Sequence, residues 1–287
     1  TRRARRMPNR AILALLSLVL WMQAVQAIEF KGEFVQGGIV FGEVQQGQTV
    51  NYDGQKLPLS SSGQFVLGFD RDSPATVTLQ ISNLDGGSSE QQLNVKPRTY
   101  DIQRIEGIAR KIMSPNAEDL KRIRGENIAI GKARKVVSPR EDFLQTFVWP
   151  LNGPITGVFG SQRVYNGVPK RPHYGVDVAA PVGTRVRAPA AGSVRLAHDN
   201  MFYSGGTLVI DHGHGLNSSF LHLSKILVEV DDEVKQGQEI AEVGATGRVT
   251  GPHLDWRMNW RKQRVDPQQL VGPQPVAGTK PTLGKAK

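Results

Sequence analysis

No cysteine occurs in the 287 residues. That absence excludes disulfides, attachment through a lipidated cysteine and any thiolate ligand, so a metal site in this chain has to be built from histidine and carboxylate. There is no His-Glu-x-x-His string either, which removes the helical zinc motif whose glutamate serves as a base. Acidic residues are missing from both ends: residues 1–27 hold five arginines and no acid, and the stretch from Val271 holds three lysines and no acid. The net charge of +10 therefore shrinks to about +2 over residues 28–270. Little of the polyanion affinity suggested by the total survives, which argues against a nucleic-acid partner.

What is present begins with an export signature. The arginines of the first ten residues precede an uncharged run over 11–28 that ends in the small-residue pattern Val25-x-Ala27. It reads as a signal peptide occupying 1–27 and cleaved after Ala27, with Met7 a candidate initiator; an uncleaved membrane anchor is the competing reading. Export without disulfides points to a bacterial envelope compartment, the periplasm or the cell envelope more broadly, with membrane contact confined to this segment.

Residues 28–98 alternate apolar and polar positions between turn signals such as Asp53-Gly54 and Asp85-Gly86, and predict a small β-sandwich without any histidine. Such a unit fits binding or positioning. From 99 to 147 the composition turns charged, with acids early and bases late after Ser114-Pro115, as a partly helical linker requires. Leu120, Ile123, Ile128 and Ile130 form an imperfect apolar stripe, which predicts packing against a neighbour rather than a coiled coil. Residues 148–270 are dense in Gly, Val and short β runs and predict an antiparallel β domain, so the chain as a whole is expected to be mainly β. Residues 271–287, rich in Pro, Gly and Lys, read as a disordered tail.

Three strings in that β region collect metal-type side chains. In "HYGVDVAA", Val176 and Val178 alternate with Asp177, which places Asp177 on the face away from the core and beside His173. A straight strand would hold His173 and Asp177 roughly 13 Å apart, so Gly175 is expected to supply a bend. In "GPHLDWRM", His253 and Asp255 share one strand face while Leu254 and Trp256 fill the other. "FLHLS" sets His222 between Leu221 and Leu223. His212 and His214, in "DHGHG", are expected at a loop rim, and His198 in the open.

Taken together and in order, these strings resemble the zinc metallopeptidases of the lysostaphin and LytM type, which cut peptide cross-links of bacterial peptidoglycan. The likeness runs over about Trp149–Pro267 through "HYGVDVAAPVGTRVRAPAAGSV", "GTLVIDHGHGLNSSFLHLS" and "VKQGQEIAEVGATGRVTGPHLDW". The resemblance implies metal ligation by His173 and Asp177 and catalytic imidazoles at His222 and His253. Its third ligand is a histidine where this chain has Asp255. Zinc accepts aspartate oxygen at about the same distance as histidine nitrogen, so Asp255 is expected to ligate; manganese is the harder alternative. Two aspartates would cancel the charge of the ion and leave a weaker Lewis acid. Two functions follow: an exported endopeptidase acting on peptidoglycan, or a catalytically weakened factor that binds peptidoglycan or activates a cell-wall amidase.

Overall fold

A computed structural model describes residues 28–105 and 115–274. The expected signal or anchor at 1–27 and most of the expected tail lie outside them. Among the described residues no helix is long and apolar enough to cross a membrane.

The chain is mainly β with one α-helix, as the alternation of its apolar residues predicted. Two small sheets come first. One joins Glu29–Gly32, Ile39–Glu43 and Gln64–Gly68, and the other joins Thr49–Tyr52, Gln55–Lys56, Thr76–Ser82 and Ser88–Asn94. In Thr76–Ser82 every second residue, Val77, Leu79 and Ile81, is buried. Each such side chain withdrawn from water contributes about 1.5–3 kcal/mol against the entropy of ordering the strand.

Helix α1, Ala117–Arg134, starts two residues after Pro115. Asn116 is its N-cap, accepting from the Asp119 amide at 2.8 Å, with Glu118 and Asp119 in the first turn and Lys132 and Arg134 in the last. Of its residues only Ala133 is fully buried, and Ile128 stands 71% exposed, so the apolar stripe packs little. Polar contacts hold the helix instead: Arg122 Nε meets Glu126 at 2.8 Å, and Glu126 accepts from the Phe202 amide at 2.9 Å.

The second half is a ten-stranded sheet. Its spine runs Glu233–Val234, Gly192–Met201, Gly205–Gly213, Leu216–Ile226, His253–Trp260, Val176–Ala179, Ile155–Gly157, with antiparallel pairing throughout. Period-2 alternation splits the strand His253–Trp260 into two faces. Leu254, Trp256, Met258 and Trp260 are buried on one, where Trp260 meets Tyr52 of the N-terminal sheets at a ring separation of 5.7 Å. His253, Asp255, Arg257 and Asn259 occupy the other. The N-terminal sheets thus support the face opposite the polar residues, and the ion pair of Arg98 with Asp266 (2.9 Å) ties the two halves together.

Candidate metal centre

Strand register brings the acidic pair together. Asp177 stands directly opposite Asp255 across the antiparallel strands Val176–Ala179 and His253–Trp260, and Leu221 of the next strand is opposite Asp255 on its other side. Side chains so placed start about 4.5–5.5 Å apart at Cβ, and like charges there repel unless cations intervene. Two cationic groups do so. His173 Nε2 lies 3.1 Å from Asp177 Oδ1 and 3.5 Å from Asp255 Oδ2. Arg257, two residues along the same face, donates through Nε to both Asp255 oxygens (2.9 and 3.0 Å) and through Nη2 to Oδ2 (2.5 Å).

The expected role of Gly175 is met in part. His173 and Asp177 do converge, but Gly175 has no left-handed backbone conformation. Its service is space: a Cβ there would come 2.5 Å from Asp255 Oδ1 and 2.6 Å from Arg257 Cγ.

Three histidines are oriented by one device. His173 Nδ1 lies 3.2 Å from Val158 O, His222 Nδ1 2.9 Å from Thr246 O and His253 Nδ1 2.9 Å from Gly251 O. A carbonyl can only accept, so each Nδ1 carries the proton and each Nε2 of a neutral ring is left with its lone pair free. His222 takes φ of 65°, an uncommon value for a residue with a side chain, where the pairing of its strand changes register. Its ring comes 5.0 Å from that of His253. His253 Nε2 in turn is 3.8 Å from Asp177 Oδ1.

The donors fit a single small cation. One ligand atom from each of His173, Asp177 and Asp255 falls within 4.8 Å of the others. Two ligands at about 2.0–2.2 Å on a tetrahedral ion stand roughly 3.3–3.6 Å apart, a range that holds the 3.5 Å His173–Asp255 distance and lies just above the 3.1 Å His173–Asp177 distance. His173 Nε2 and Asp177 Oδ1 are both buried without a hydrogen-bond partner although 3.1 Å apart, because with the proton on Nδ1 both atoms are acceptors. Burial opposes protonation of His173, but the two carboxylates override it and push its pKa up to about 10, so the pocket demands positive charge. Asp255 shows the same demand. Burial would raise its pKa, and the Arg257 charge with the His173 contact holds it well below the usual carboxylate range.

Arg257 was legible only as a bystander in "GPHLDWRM"; its i, i+2 spacing from Asp255 on a strand was the available signal. It changes the expected charge. With a neutral His173, the donors and Arg257 sum to −1 rather than the −2 of two bare aspartates. The expectation of a weaker Lewis acid omitted this cation.

The remaining histidines divide. His198 is exposed, as expected. His212 and His214 are not at a rim: His212 lies within the strand Gly205–Gly213 and both are buried, because Gly213 and Gly215 lead the chain into a hairpin packed beneath Phe143 and Phe147. His212 bridges Ala191 O and Ser218 Oγ, each at 2.7 Å. Burial pushes its pKa down to about 4. Because the folded pKa lies below the unfolded value of 6.5, this stability is full above pH 6.5 and is lost as pH falls toward 4, in total about 3 kcal/mol. Thermal melts between pH 4 and 7.5 are expected to fall on the acid side, and to lose much of that slope in His212→Gln. An unchanged slope would remove His212 as its source.

The residues of the centre all fall within the span 171–267 that matches the model described as peptidase family M23. A crystal structure of a Pseudomonas aeruginosa chain assigned to peptidase M23 is 31% identical, covers 83% of this chain and 95% of its own, and superposes with a TM-score of 0.66. Two curated relatives from Vibrio cholerae serotype O1 are the peptidoglycan DD-endopeptidases ShyB, 44% identical over 33% of this chain, and ShyA, 41% identical over 39%. The matched stretch spans 22% and 26% of those two proteins, about a quarter of their length.

Proposed function

Because this chain belongs to peptidase family M23, we propose that it is a metal-dependent endopeptidase that hydrolyses peptide cross-links of peptidoglycan in the bacterial envelope. The observation that carries this reading is the convergence of His173, Asp177 and Asp255 on one point, with the His222 and His253 rings beside it. M23 metallopeptidases use zinc, and one neutral imidazole with two carboxylates suits that ion, manganese being the harder alternative. His173, Asp177 and Asp255 would hold it. Bound there, zinc supplies a more acidic water and polarisation of the scissile carbonyl.

The chain's own residues handle the protons. Burial lowers the pKa of His222, so its Nε2 is an unprotonated acceptor at neutral pH, suited to take a proton from the attacking water. His253, half-buried and beside it, is placed to steady the developing oxyanion once its Nε2 carries a proton. Arg257 holds the Asp255 carboxylate in one orientation from behind. The division into a signal segment at 1–27, a positioning sandwich at 28–98, a linker at 99–147, a peptidase domain at 148–270 and a tail belongs to the same proposal. So does a periplasmic address reached by cleavage of the signal.

The test is digestion of purified peptidoglycan by the full chain, with new amino termini read by mass spectrometry. Cross-link cleavage that stops with a chelator and in His173→Ala is the expected result, and equal release by wild type and variant would overturn the reading. One observation favours a second function, a wall-binding factor that activates an amidase: both oxygens of Asp255 are already engaged by Arg257. Each oxygen keeps a further lone pair, so ligation stays open. A wild-type chain that carries no metal but stimulates an amidase would support the factor instead.

A further inference from the structure

The formal charge of residues 28–270 is small, yet the charge is not spread evenly. A cleft of about 1180 Å³ opens from the metal centre, and ten of its lining residues are Lys or Arg against two Asp. Its walls are the end of α1, the strand Gln162–Tyr165 and the outer part of His253–Trp260.

Strand geometry orders the cations within it. From Asp255 the polar face of His253–Trp260 continues through Arg257 to Asn259, at steps of about 7 Å. Arg257 is spent on Asp255. Opposite it in register is Ser219, whose Oγ accepts from Arg134 Nε and Nη2 at 3.2 and 3.0 Å. Opposite Asn259 is Arg264, whose Nη1 donates to Asn259 Oδ1 at 3.2 Å. Arg171, two residues before His173, lies with Arg264 about Tyr174, their guanidinium carbons 5.6 and 5.7 Å from its ring centre. Arg134, Arg171 and Arg264 have no carboxylate within 4.0 Å among the described residues, whereas Arg140 and Arg185 each have two and Arg187 has one.

We infer that Arg134, Arg171 and Arg264 form a carboxylate-binding subsite for a peptide substrate bearing free carboxylates, set about 7–14 Å from Asp255 along the strand. Three guanidinium groups gathered without a directly paired carboxylate repel one another, and Arg134 and Arg264 are also partly removed from water. Burial, and then the charges of neighbouring arginines, lower the pKa of both, that of Arg264 to about 10. An arriving carboxylate relieves that repulsion and accepts paired N–H bonds that water supplies less well. An extended peptide advances about 3.3–3.6 Å per residue, so the subsite reads a carboxylate two to four residues from the scissile bond, or one on a long side chain nearer to it. A peptide is favoured over a nucleic acid because the cations continue from the hydrolytic residues within one cleft.

The identity of the peptide rests on the endopeptidase reading, but binding is measured apart from turnover. The full chain in the His173→Ala background is titrated calorimetrically with a cross-linked peptide dimer whose carboxylates are free, and with the same dimer amidated. Binding of the free-carboxylate dimer at least tenfold tighter is expected, with a loss of about tenfold on adding Arg171→Gln or Arg264→Gln and a decline as salt rises. Arg171 is exposed, so its variant separates lost recognition from lost folding. Equal binding of the two dimers, a preference untouched by both variants, or tighter binding of a single-stranded oligonucleotide would each overturn the subsite. A preference that persists while wild type cleaves neither dimer would overturn the endopeptidase reading alone.

Discussion

Alanine in place of Asp255 is expected to strip the chain of its metal and to lower the stability of the β domain by about 3–5 kcal/mol. Two losses coincide in this one side chain. It provides one of the three converging donors, and it is the partner of Arg257, whose side chain is 22% exposed while that of Asp255 is 3% exposed. Removing the carboxylate leaves a largely buried guanidinium without its counter-charge, in a cleft already crowded with cations. The two effects separate in a second variant. Asp255→Leu combined with Arg257→Leu removes both charges, so stability is expected to recover most of the loss while metal binding does not. Chemical denaturation gives the first quantity and elemental analysis per chain the second. Wild-type metal content in Asp255→Ala would show that Asp255 is no ligand. Equal destabilisation in the single and double variants would show that the ion pair is not the cause.

The second large effect is expected at His222. Its replacement by alanine is expected to lower kcat by about 10²–10⁴-fold with little change in metal content, because the ring reaches the centre as a proton acceptor and not through the ion. His222 Nδ1 is anchored on Thr246 O and its backbone sits at a positive φ, which fix the ring that faces the centre. Burial lowers its pKa below the ordinary 6.5, so activity is expected to hold down to pH 6.5 and to fall only on the acid side of it. Rates on a soluble cross-linked peptide, followed from pH 5 to 8 beside metal analysis, test both points. A variant that loses its metal along with its activity would make His222 a ligand or a structural support instead.

Alternation fixed the faces of Asp177, His253 and Asp255, whereas His173 lies before its strand and His222 sits at a positive φ where alternation breaks. Val176 and Val178 point Asp177 outward, and Leu254 and Trp256 do the same for His253 and Asp255. His212 and His214 show where such reading stops. Flanking glycines announced a turn, but whether a turn lies at the surface depends on what packs over it, and here Phe143 and Phe147 from a distant segment do. Local patterning carries no information about that cover.

By itself the sequence determined the β class, the faces of the strands and the chemical types available to a metal: histidine and aspartate, with cysteine absent. Register was decided only in three dimensions. It set Asp177 against Asp255, and aligned Ser219 and Asn259 so that Arg134 and Arg264 gather in one cleft. A summed charge cannot foresee this, since electrostatic energy depends on separation, and residues as far apart in the chain as Asp177 and Asp255 become neighbours only when strands pair.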